Sequence, residues 1–393
     1  MDKISLVMVG TGGYAVHYLK ELFEIPRGQR FRMVAAVDPF AENSPYFDEL
    51  KKREIPIYNT LDEFYADHTA QMAIISTPTY LHADQAICCM EHGTDVLCEK
   101  PLCATSEDAQ RIIETRDRTG RKFCLGFQMS ISAEYLKLKQ DIMDGVYGKI
   151  KRFRTLVFFP RNLDYYRRGA GWGGNRQRPD GTKVYDSVAG NATAHYLHNM
   201  FFLCGESLSA CAKWTDLQAE VYRMNPIEMF DTCALRLHLE QGTEVLFYAS
   251  HAVEKNQYPI FVMEGELGTA ILVHGAEGDC LSGKLHDGRE IVYGNPSIDQ
   301  MRKMYVAADA FTEGTPLPCI PETAWSHLKC IETLADLFPE TPVFPEDFIC
   351  FREEKQMYYG KTLDEDLRRC YAEGKLPYEP EMSWSAGPRY KKI

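Results

Sequence analysis

Residues 4–15 read ISLVMVGTGGYA, a short apolar run that ends in the pattern Gly-x-Gly-x-x-Ala, and a helix-compatible segment follows at residues 14–24. Gly10 permits a tight turn, Gly12 lets the backbone approach a pyrophosphate, and Ala15 lets a helix pack closely on a strand. The helix N-terminus then offers N–H donors and a positive dipole end to the phosphates. This stretch predicts the first strand–turn–helix unit of a dinucleotide-binding fold, and the alternative is an ordinary α/β turn without a ligand. The candidate cofactor contacts of this loop are Gly10, Gly12, Gly13 and Tyr14.

A carboxylate follows the next predicted strand, residues 33–37, at Asp38. A carboxylate at this position accepts a hydrogen bond from a ribose 2′-hydroxyl and repels a 2′-phosphate. Pro39 and Phe40 come next, so no arginine stands there to receive a phosphate. The pattern predicts NAD as the cofactor and makes NADP the less favoured one.

Composition limits the classes of partner. The chain of 393 residues has 45% hydrophobic and 25% charged residues and a formal net charge of −12. This charge argues against a nucleic acid or an anionic membrane as a partner. We expect no signal peptide or membrane span, because the first strand begins by residue 4 and no apolar run approaches the length of a span. The 13 Cys residues fall mostly in apolar segments, which favours reduced thiols in the cytoplasm.

Two domains are expected from a change in pattern near residue 128. Strands and helices alternate as far as residue 127, which predicts an α/β domain with a doubly wound parallel sheet over residues 1–127. Strand-length segments separated by turns dominate afterwards, which predicts an α+β domain with an open-faced, mostly antiparallel sheet over residues 128–393. The polar, Pro-containing end at residues 379–393 is predicted to be an irregular tail with little core.

The stretch Cys98-Glu99-Lys100-Pro101 follows a predicted strand at residues 95–98. Ligands bind at this carboxyl-terminal edge of open α/β sheets. A lysine beside a positively charged nicotinamide loses its proton more readily, so Lys100 could accept the proton that leaves an alcohol with its hydride. From these residues alone, a solvated lysine in a turn is the stronger alternative.

Four motifs occur in order: GTGGYA at 10–15, STP at 76–78 with His82, GTDVLCEKPL at 93–102, and GFQ at 126–128. Together they resemble the glucose–fructose oxidoreductase, inositol dehydrogenase and rhizopine-catabolism (Gfo/Idh/MocA) family, densely over residues 1–150. The resemblance implies a Rossmann domain, an open-faced sheet domain, bound NAD or NADP, and redox chemistry on sugars or polyols. It also implies that Lys100 is the active-site lysine. Further cofactor contacts that it implies are Thr77, Pro78, His82, Glu99 and, beside the nicotinamide or substrate, Gln128.

A second motif, GNATAHYLHNM, occupies residues 190–200. The family carries an Asp-x-x-x-His pair on a helix that faces the nicotinamide, and residues four apart share one helical face. His195 matches the histidine, Asn191 replaces the aspartate, and His198 stands where many relatives carry a second acid. Asparagine can bind a hydroxyl but cannot act as a base, so proton transfer falls to Lys100 and His195, with Asn191 and His198 orienting substrate. The alternative is that these are polar core residues.

His195 and His198 could instead ligate a metal with Asp186, but no further ligand has a telling spacing. We therefore expect no metal.

A segment rich in arginine and aromatic residues spans residues 151–185. Aromatic rings stack on sugars, and guanidinium groups bind hydroxyls or carboxylates. An exposed basic loop or an oligomer contact explains the segment equally well. The substrate-binding candidates in it are Tyr166, Arg168 and Trp172.

These inferences predict an NAD-dependent dehydrogenase that acts on the CH–OH group of a sugar, polyol or glycoside. One alternative is an enzyme that cleaves glycosides by transient oxidation and elimination. Another is a non-catalytic NAD-binding regulatory protein, against which Lys100 and His195 argue. A homodimer or homotetramer formed through the open sheet face is expected.

Overall fold

The computed structural model describes residues 3–276 and 278–392, without the side chains of residues 168–170. The chain divides into two compact units. The first contains Met1–Ile131 and Asp299–Ala324, and the second contains Ser132–Ile298 and Trp325–Ile393. The sequence pattern did not indicate that residues 299–324 belong with the N-terminal part.

The first unit is built on a parallel sheet in the order β3-β2-β1-β4-β5-β6. Its central strands are short apolar runs buried on both faces, as expected where helices cover both sides of a sheet. The described strands are β1 (Ile4–Val9), β2 (Phe31–Val37), β3 (Ile57–Tyr58), β4 (Met72–Ile75), β5 (Asp95–Cys98) and β6 (Phe123–Leu125).

Local capping signals fix several helices of this unit. The Thr60 hydroxyl accepts a hydrogen bond from the backbone N–H of Glu63, and the Thr105 hydroxyl accepts one from the backbone N–H of Asp108, so each residue caps the helix that follows it. The helices are α1 (Ala15–Glu24), α2 (Phe47–Lys52), α3 (Leu61–Asp67), α4 (His82–Glu91), α5 (Ser106–Thr119), α6 (Gln128–Ile131) and, from the later segment, α10 (Arg302–Glu313). Short 3₁₀ turns lie at Pro26–Arg30, Ala41–Asn43, Thr79–Leu81 and Pro321–Ala324.

The second unit is built on a mixed sheet in the order β14-β13-β12-β11-β7-β10-β9-β8-β17. β7 pairs in parallel with β10, and the other pairs described in this sheet are antiparallel. Its strands are β7 (Ile150–Phe158), β8 (Trp214–Tyr222), β9 (Thr232–Leu239), β10 (Glu244–Ser250), β11 (Gln257–Gly265), β12 (Gly268–Gly275), β13 (Gly278–Leu285), β14 (Glu290–Gly294) and β17 (Arg389–Lys392). The predicted fold class, a Rossmann domain followed by a mostly antiparallel sheet, is confirmed.

Helices and a small hairpin complete the second unit. A π-helical turn at Val188–Ala192 precedes α9. The helices are α7 (Ala133–Met143), α8 (Leu163–Gly171), α9 (Ala194–Leu203), α11 (Trp325–Leu337) and α12 (Leu363–Glu373). The hairpin strands are β15 (Ile349–Arg352) and β16 (Met357–Gly360). Short 3₁₀ turns lie at Glu346–Phe348 and Glu353–Lys355. Among the helices of the described residues, none has the length and apolarity needed to cross a membrane.

The end of the chain contributes to the core of the second unit. Trp384 is 4% exposed, packs in a cluster with Tyr222 and Phe344, and donates its indole N–H to Asp366 at 2.8 Å. β17 then pairs with β8 at the sheet edge. The prediction of a tail with little core is wrong here, because one large aromatic side chain buries a segment whose average composition is polar.

Candidate active site

The glycine loop joins β1 to α1. Gly10 has a φ of +87°, and a Cβ there would lie 2.6 Å from the carbonyl oxygen of Ser76, so both the backbone angle and the space require glycine. Gly12 and Gly13 are exposed, and no described atom lies within 4 Å of where a Cβ on Gly12 would stand. The loop therefore has open space where a pyrophosphate binds in dinucleotide folds.

The start of α1 fits the same ligand. Within the described residues, no side chain caps the helix, and its first turn has no acidic residue. A carboxylate there would compete with phosphate for the N–H donors and the positive end of the helix dipole. The loop and the helix start together fit a dinucleotide phosphate group.

Asp38 lies directly after β2 and is fixed by three hydrogen bonds. Its Oδ2 accepts from the backbone N–H and the hydroxyl of Thr11, at 2.8 and 2.7 Å, and its Oδ1 accepts from Phe40 N–H at 2.9 Å. The same carboxylate thus holds the glycine loop and places a negative charge beside it. A fixed negative charge there repels a 2′-phosphate, which fits NAD.

His82 connects the segments after β4 and β5. One ring nitrogen lies 2.9 Å from the carbonyl oxygen of Thr77, and the other lies 2.9 Å from that of Pro101. Burial lowers the pKa of His82, and its contacts with the backbone carbonyls oppose this shift. A neutral ring donates to only one of the two oxygens. His82 therefore ties the Thr77-Pro78 turn to the loop after β5.

Glu99 is the centre of a buried polar network. Its Oε1 accepts from the Tyr18 hydroxyl at 2.7 Å and forms an ion pair with the ammonium of Lys303 on α10. Its Oε2 accepts from the backbone N–H of Lys100 at 3.2 Å. Lys100 is half-buried at the carboxyl-terminal edge of the sheet, and its peptide bond to Pro101 is cis.

Tyr14 and Gln128 extend this network towards the glycine loop. The Tyr14 hydroxyl donates to Gln128 Oε1 at 2.8 Å, and Lys303 Nζ lies 3.4 Å from the same oxygen. The Lys303 ammonium also lies 4.4 Å from the centre of the Tyr14 ring. Burial, and secondarily the charge of Glu99, raises the pKa of Tyr14, so its hydroxyl stays protonated.

In the second unit, Asn191 lies in the π-helical turn and His195 lies in the first turn of α9. The prediction of one continuous helical face for both residues is therefore wrong, because the turn changes from π to α geometry between them. The Asn191 amide donates from Nδ2 to Asp186 Oδ1 at 2.8 Å, and Asp186 Oδ2 accepts from Gly174 N–H at 2.7 Å. π-turns are often found at functional sites.

His195 and His198 differ in exposure. His195 is half-buried, whereas His198 is fully buried between Phe202, whose ring stacks on it at 6.1 Å, and His327 at 6.5 Å. Burial, and then the charges of His327 and Lys139, holds the pKa of His198 far below its ordinary value. This placement favours the alternative in which His198 is a core residue.

The arginine-rich segment is largely paired within its own unit. Arg152 and Arg154 lie on β7 and form ion pairs with Glu244 and Glu264, and Arg176 donates to carbonyl oxygens at the end of α11. Ion pairs also join Arg167 to Asp164 and Arg178 to Asp180. Among the described side chains, four arginines of the segment are therefore paired with carboxylates of their own unit, as expected for a structural segment.

The proposed substrate contacts of this segment have different environments. Tyr166 is 8% exposed, and its buried hydroxyl has no hydrogen-bond partner among the described residues. Its ring contacts Tyr165 and His251, with centres 5.2 and 6.4 Å apart. Trp172 is half-buried. The side chain of Arg168 lies outside the described residues.

An open groove of about 830 Å³ lies beside Tyr165 in the second unit. It is lined mostly by charged and polar side chains, among them Arg161, Asn162, Asp164, Glu254 and Gln356. Within the part of the chain that the structure describes, no group of three or more His, Cys, Asp or Glu side chains is arranged to hold a metal ion.

Residues 4–127 match the family model for Gfo/Idh/MocA, an oxidoreductase family with an NAD-binding Rossmann fold. This matched stretch is similar to the Gfo/Idh/MocA family. The resemblance predicted from the motifs is confirmed, and so is NAD as the cofactor of this fold.

Curated relatives match over a limited part of the chain. A 2,7-anhydro-N-acetylneuraminate hydratase of Mediterraneibacter gnavus is 32% identical over 151 residues, which is 38% of this chain and 38% of that protein. An inositol 2-dehydrogenase of Salmonella paratyphi B is 29% identical over 143 residues, which is 36% of this chain and 42% of that protein. The matched stretches thus cover less than half the length of these Gfo/Idh/MocA relatives.

Solved structures match over a longer stretch. The WlbA dehydrogenase of Bordetella pertussis, in complex with NADH and UDP-GlcNAcA, has a TM-score of 0.69 at 19% identity and covers 85% of this chain and 96% of that one. GenD2 from gentamicin A biosynthesis, in complex with NAD, has a TM-score of 0.67 at 16% identity and covers 84% and 93%. At these identities the likeness shows a shared fold.

Three features of the site were not predicted from the sequence: Lys303, Tyr18 and the contact of Asp186 with Asn191. For Lys303 a signal was available, because α10 buries Met304, Ala307 and Ala310 as well. A lysine on the buried face of an amphipathic helix needs a counter-ion, and a carboxylate such as Glu99 is the ordinary one. No comparable local signal marks Asp186.

Proposed function

We propose that the protein is an NAD-dependent oxidoreductase that transfers a hydride between the nicotinamide and a carbinol carbon of a sugar, polyol or glycoside. The observation that carries the proposal is the position of Lys100. It follows β5, at the same carboxyl-terminal edge of the parallel sheet as the glycine loop, and its backbone N–H donates to the Glu99 carboxylate. That edge is where ligands of open α/β sheets bind.

Oxidation of a carbinol removes a hydride from carbon and a proton from the hydroxyl oxygen. Bound NAD⁺ supplies the hydride acceptor. We assign the proton to Lys100, whose neutral amine accepts it and whose ammonium returns it in the reverse reaction. A lysine there also stabilises the developing alkoxide by its charge.

His195 is proposed to pass the proton on to solvent, because an imidazole exchanges protons near neutral pH. Asn191 and Gln128 are proposed to bind substrate hydroxyls. Tyr166, Trp172 and Arg168 remain proposed sugar contacts, and the Tyr166 hydroxyl supports this because a buried hydroxyl gains from a ligand partner. Because His198 is fully buried, a packing role is favoured over the predicted role in orienting substrate.

The test is a screen of free sugars, polyols, uronic acids and aryl glycosides with NAD⁺, followed by NADH absorbance and by chromatography of the products. NADH and a keto product in equal amounts support the dehydrogenase. A Lys100→Met variant, which keeps NAD but loses the signal, ties the activity to this site. The proposal fails if neither readout changes for any substrate while NAD binding is intact, and the non-catalytic alternative then gains support.

The same screen tests a second function, elimination and water addition after transient oxidation of the sugar. One relative is named as a hydratase, and water addition involves no net redox change. In this reaction a sugar hydroxyl is oxidised to a ketone, which acidifies the neighbouring C–H. Loss of that proton expels the oxygen substituent, water adds, and reduction of the ketone restores the hydroxyl. Products without accumulated NADH would identify this route.

We also propose a homodimer or homotetramer formed through the open face of the second unit's sheet. Ile271 and Val292 lie on one face, opposite Ser282 in the strand register, and they are 36% and 76% exposed. Val273, two residues along β12, is 42% exposed on the same face. Exposed apolar side chains in a row favour an interface. Light scattering of the wild type and of Val292→Glu tests this, and a monomeric wild type contradicts it.

A further inference from the structure

The ammonium of Lys303 is fully buried in the first unit, where it forms its ion pair with Glu99. It lies 4.4 Å from the centre of the Tyr14 ring and 5.3 Å from that of Tyr18. These contacts join α10 to α1 and to the segment after β5. Lys303 thus has the partners that a buried cation requires, a carboxylate and two aromatic faces.

Sheet order locates the nicotinamide half of the cofactor. Asp38 follows β2, on one side of β1, whereas Glu99 follows β5, on the other side of β1. A dinucleotide whose pyrophosphate lies on the glycine loop after β1, with its adenosine ribose at Asp38, extends its other half towards β4 and β5. The Glu99–Lys303 pair therefore lies on the nicotinamide side of the sheet.

We propose that Lys303 is a positioning residue that neutralises Glu99 on the nicotinamide side of the sheet, so that the relative affinity of the first unit for NAD⁺ and NADH depends on the net charge of the Glu99–Lys303 pair. The oxidised nicotinamide carries a positive charge that the reduced ring lacks. A fixed charge near the ring therefore changes the two affinities unequally, whereas a neutral pair changes them little.

Removing one partner gives effects of opposite sign. In Lys303→Met the carboxylate of Glu99 is left without its counter-ion, and in its ionised form it favours the cationic ring. The ratio of the dissociation constants for NAD⁺ and NADH then falls. In Glu99→Gln the ammonium of Lys303 is left alone and repels the cationic ring, so the ratio rises. We expect each change to be a factor of about 3 to 10.

A dependence on pH distinguishes charge from packing. An unpaired buried carboxyl group takes up a proton when it can, so the Lys303→Met ratio should fall further as the pH rises. The Glu99→Gln ratio should rise as the pH falls and Lys303 takes up a proton. Burial already lowers the pKa of Lys303, and Glu99 opposes that shift.

The other titratable groups around the pair do not produce this pattern. Burial raises the pKa of Tyr14, Tyr18 and Cys124, so these groups stay neutral from about pH 6 to 9. Burial lowers the pKa of His82, which keeps it neutral as well. The ratios of all variants are compared with those of the wild type at each pH.

The experiment measures NADH by fluorescence and NAD⁺ by calorimetry, from about pH 6 to 9, for the wild type, both single variants and Glu99→Gln/Lys303→Met. Lys122→Met is the matched control. Lys122 belongs to the same unit, but it precedes β6, and its ammonium binds the carbonyl oxygens of Ala310 and Phe311. In Lys122→Met the ratio of the two dissociation constants should equal that of the wild type within experimental error.

Opposite shifts in the two single variants, with the double variant near the wild type, support the proposal. Shifts in the same direction, or unchanged ratios in folded variants, overturn it. If Lys303→Met does not fold, Lys303→Gln is used in its place, because glutamine keeps a hydrogen-bond donor for Glu99. If no single variant folds while the double variant folds with the wild-type ratio, the pair serves folding alone and the proposal is overturned. These readouts use the cofactor without a substrate, so they do not depend on the proposed sugar oxidation.

Discussion

The side-chain nitrogen of Asn191 donates a hydrogen bond to the carboxylate of Asp186 at 2.8 Å. An ionised carboxylate only accepts hydrogen bonds, so it fixes which end of the amide faces it. The family resemblance led us to expect an acid at the position of Asn191. In this protein a carboxylate is present nearby, supplied from five residues earlier in the chain and held by the backbone of Gly174.

This contact makes Asn191→Asp an unfavourable change. Two carboxylates would meet at hydrogen-bond distance, and one of them must take up a proton to avoid repulsion. We expect the free energy of unfolding to fall by about 1–3 kcal/mol at pH 8 and by less at pH 5. Chemical denaturation at both pH values measures this. The exchange variant Asp186→Asn/Asn191→Asp keeps a single carboxylate and should recover most of the loss, and equal losses in both variants would contradict the explanation.

Asp38 should make the protein prefer NAD over NADP at least tenfold, or about 1.4 kcal/mol. The preference arises because its carboxylate, fixed beside the glycine loop, repels a 2′-phosphate. In Asp38→Asn the charge is lost while one acceptor for Thr11 remains, so the preference should narrow mainly through tighter NADP binding. Calorimetric titration with both cofactors checks this, and an equal preference in the wild type would disprove the assignment.

Gly10 and Gly12 should respond differently to alanine. Gly10→Ala places a methyl group 2.6 Å from the Ser76 carbonyl oxygen at a φ of +87°, so it should destabilise the protein itself, by about 1–3 kcal/mol or more. Gly12→Ala meets no described atom within 4 Å, so the protein without cofactor should keep its stability, but NAD affinity should fall at least about tenfold. Thermal melts with and without NAD separate the two effects. Normal NAD binding by Gly12→Ala would place the pyrophosphate elsewhere.

Lys100→Met should leave NAD binding nearly unchanged and lower turnover by a factor on the order of 10² or more, the usual scale for a general acid–base group. The measurement needs a substrate from the screen, with NAD affinity determined in parallel. Lys122→Met again serves as the control, since it removes a lysine from the same unit. A variant that loses NAD would show that Lys100 is chiefly a cofactor contact.

His198 should make the protein less stable in acid. Its folded-state pKa is lowered by burial, so below about pH 6.5 the unfolded chain binds a proton that the folded protein does not. The stabilisation is fully present above that pH and declines as the pH falls, by about 1.4 kcal/mol per pH unit for one such group. In His198→Gln the slope of unfolding free energy against pH between 6 and 5 should decrease by about that amount. An unchanged slope would mean that His198 is protonated in the folded protein.

Local sequence signals were sufficient for most of the first unit. Its strands are short apolar runs, and its helices begin at capping residues such as Thr60 and Thr105, which act within three residues. The glycine loop was equally predictable, because Gly10 is required by its positive φ and Gly12 by the space that a pyrophosphate needs. Features that depend on a few neighbouring residues can be recognised in a single sequence.

Features that depend on distant partners were not recognised. Lys303 meets Glu99 across 204 positions of sequence, and no periodicity connects the two. The π-helical turn at Val188–Ala192 moved Asn191 off the face predicted for it, since spacing rules assume α geometry. Trp384 was placed in a tail because composition averages over a segment, whereas burial depends on the individual side chain.

Because residues 299–324 belong to the first unit, this unit can be completed only late in translation. The chain leaves this unit at Ile131 and returns to it at Asp299, after β7 to β14 have been made. At about 5–20 residues per second, the 204 positions between Glu99 and Lys303 take about 10 to 40 s to translate. Throughout that interval the nascent Glu99 has no Lys303, so a ribosome-bound fragment that ends at Ile131 should hold its parallel sheet less firmly than the finished protein. The strands that begin the chain thus reach their final stability only after most of the chain has been translated.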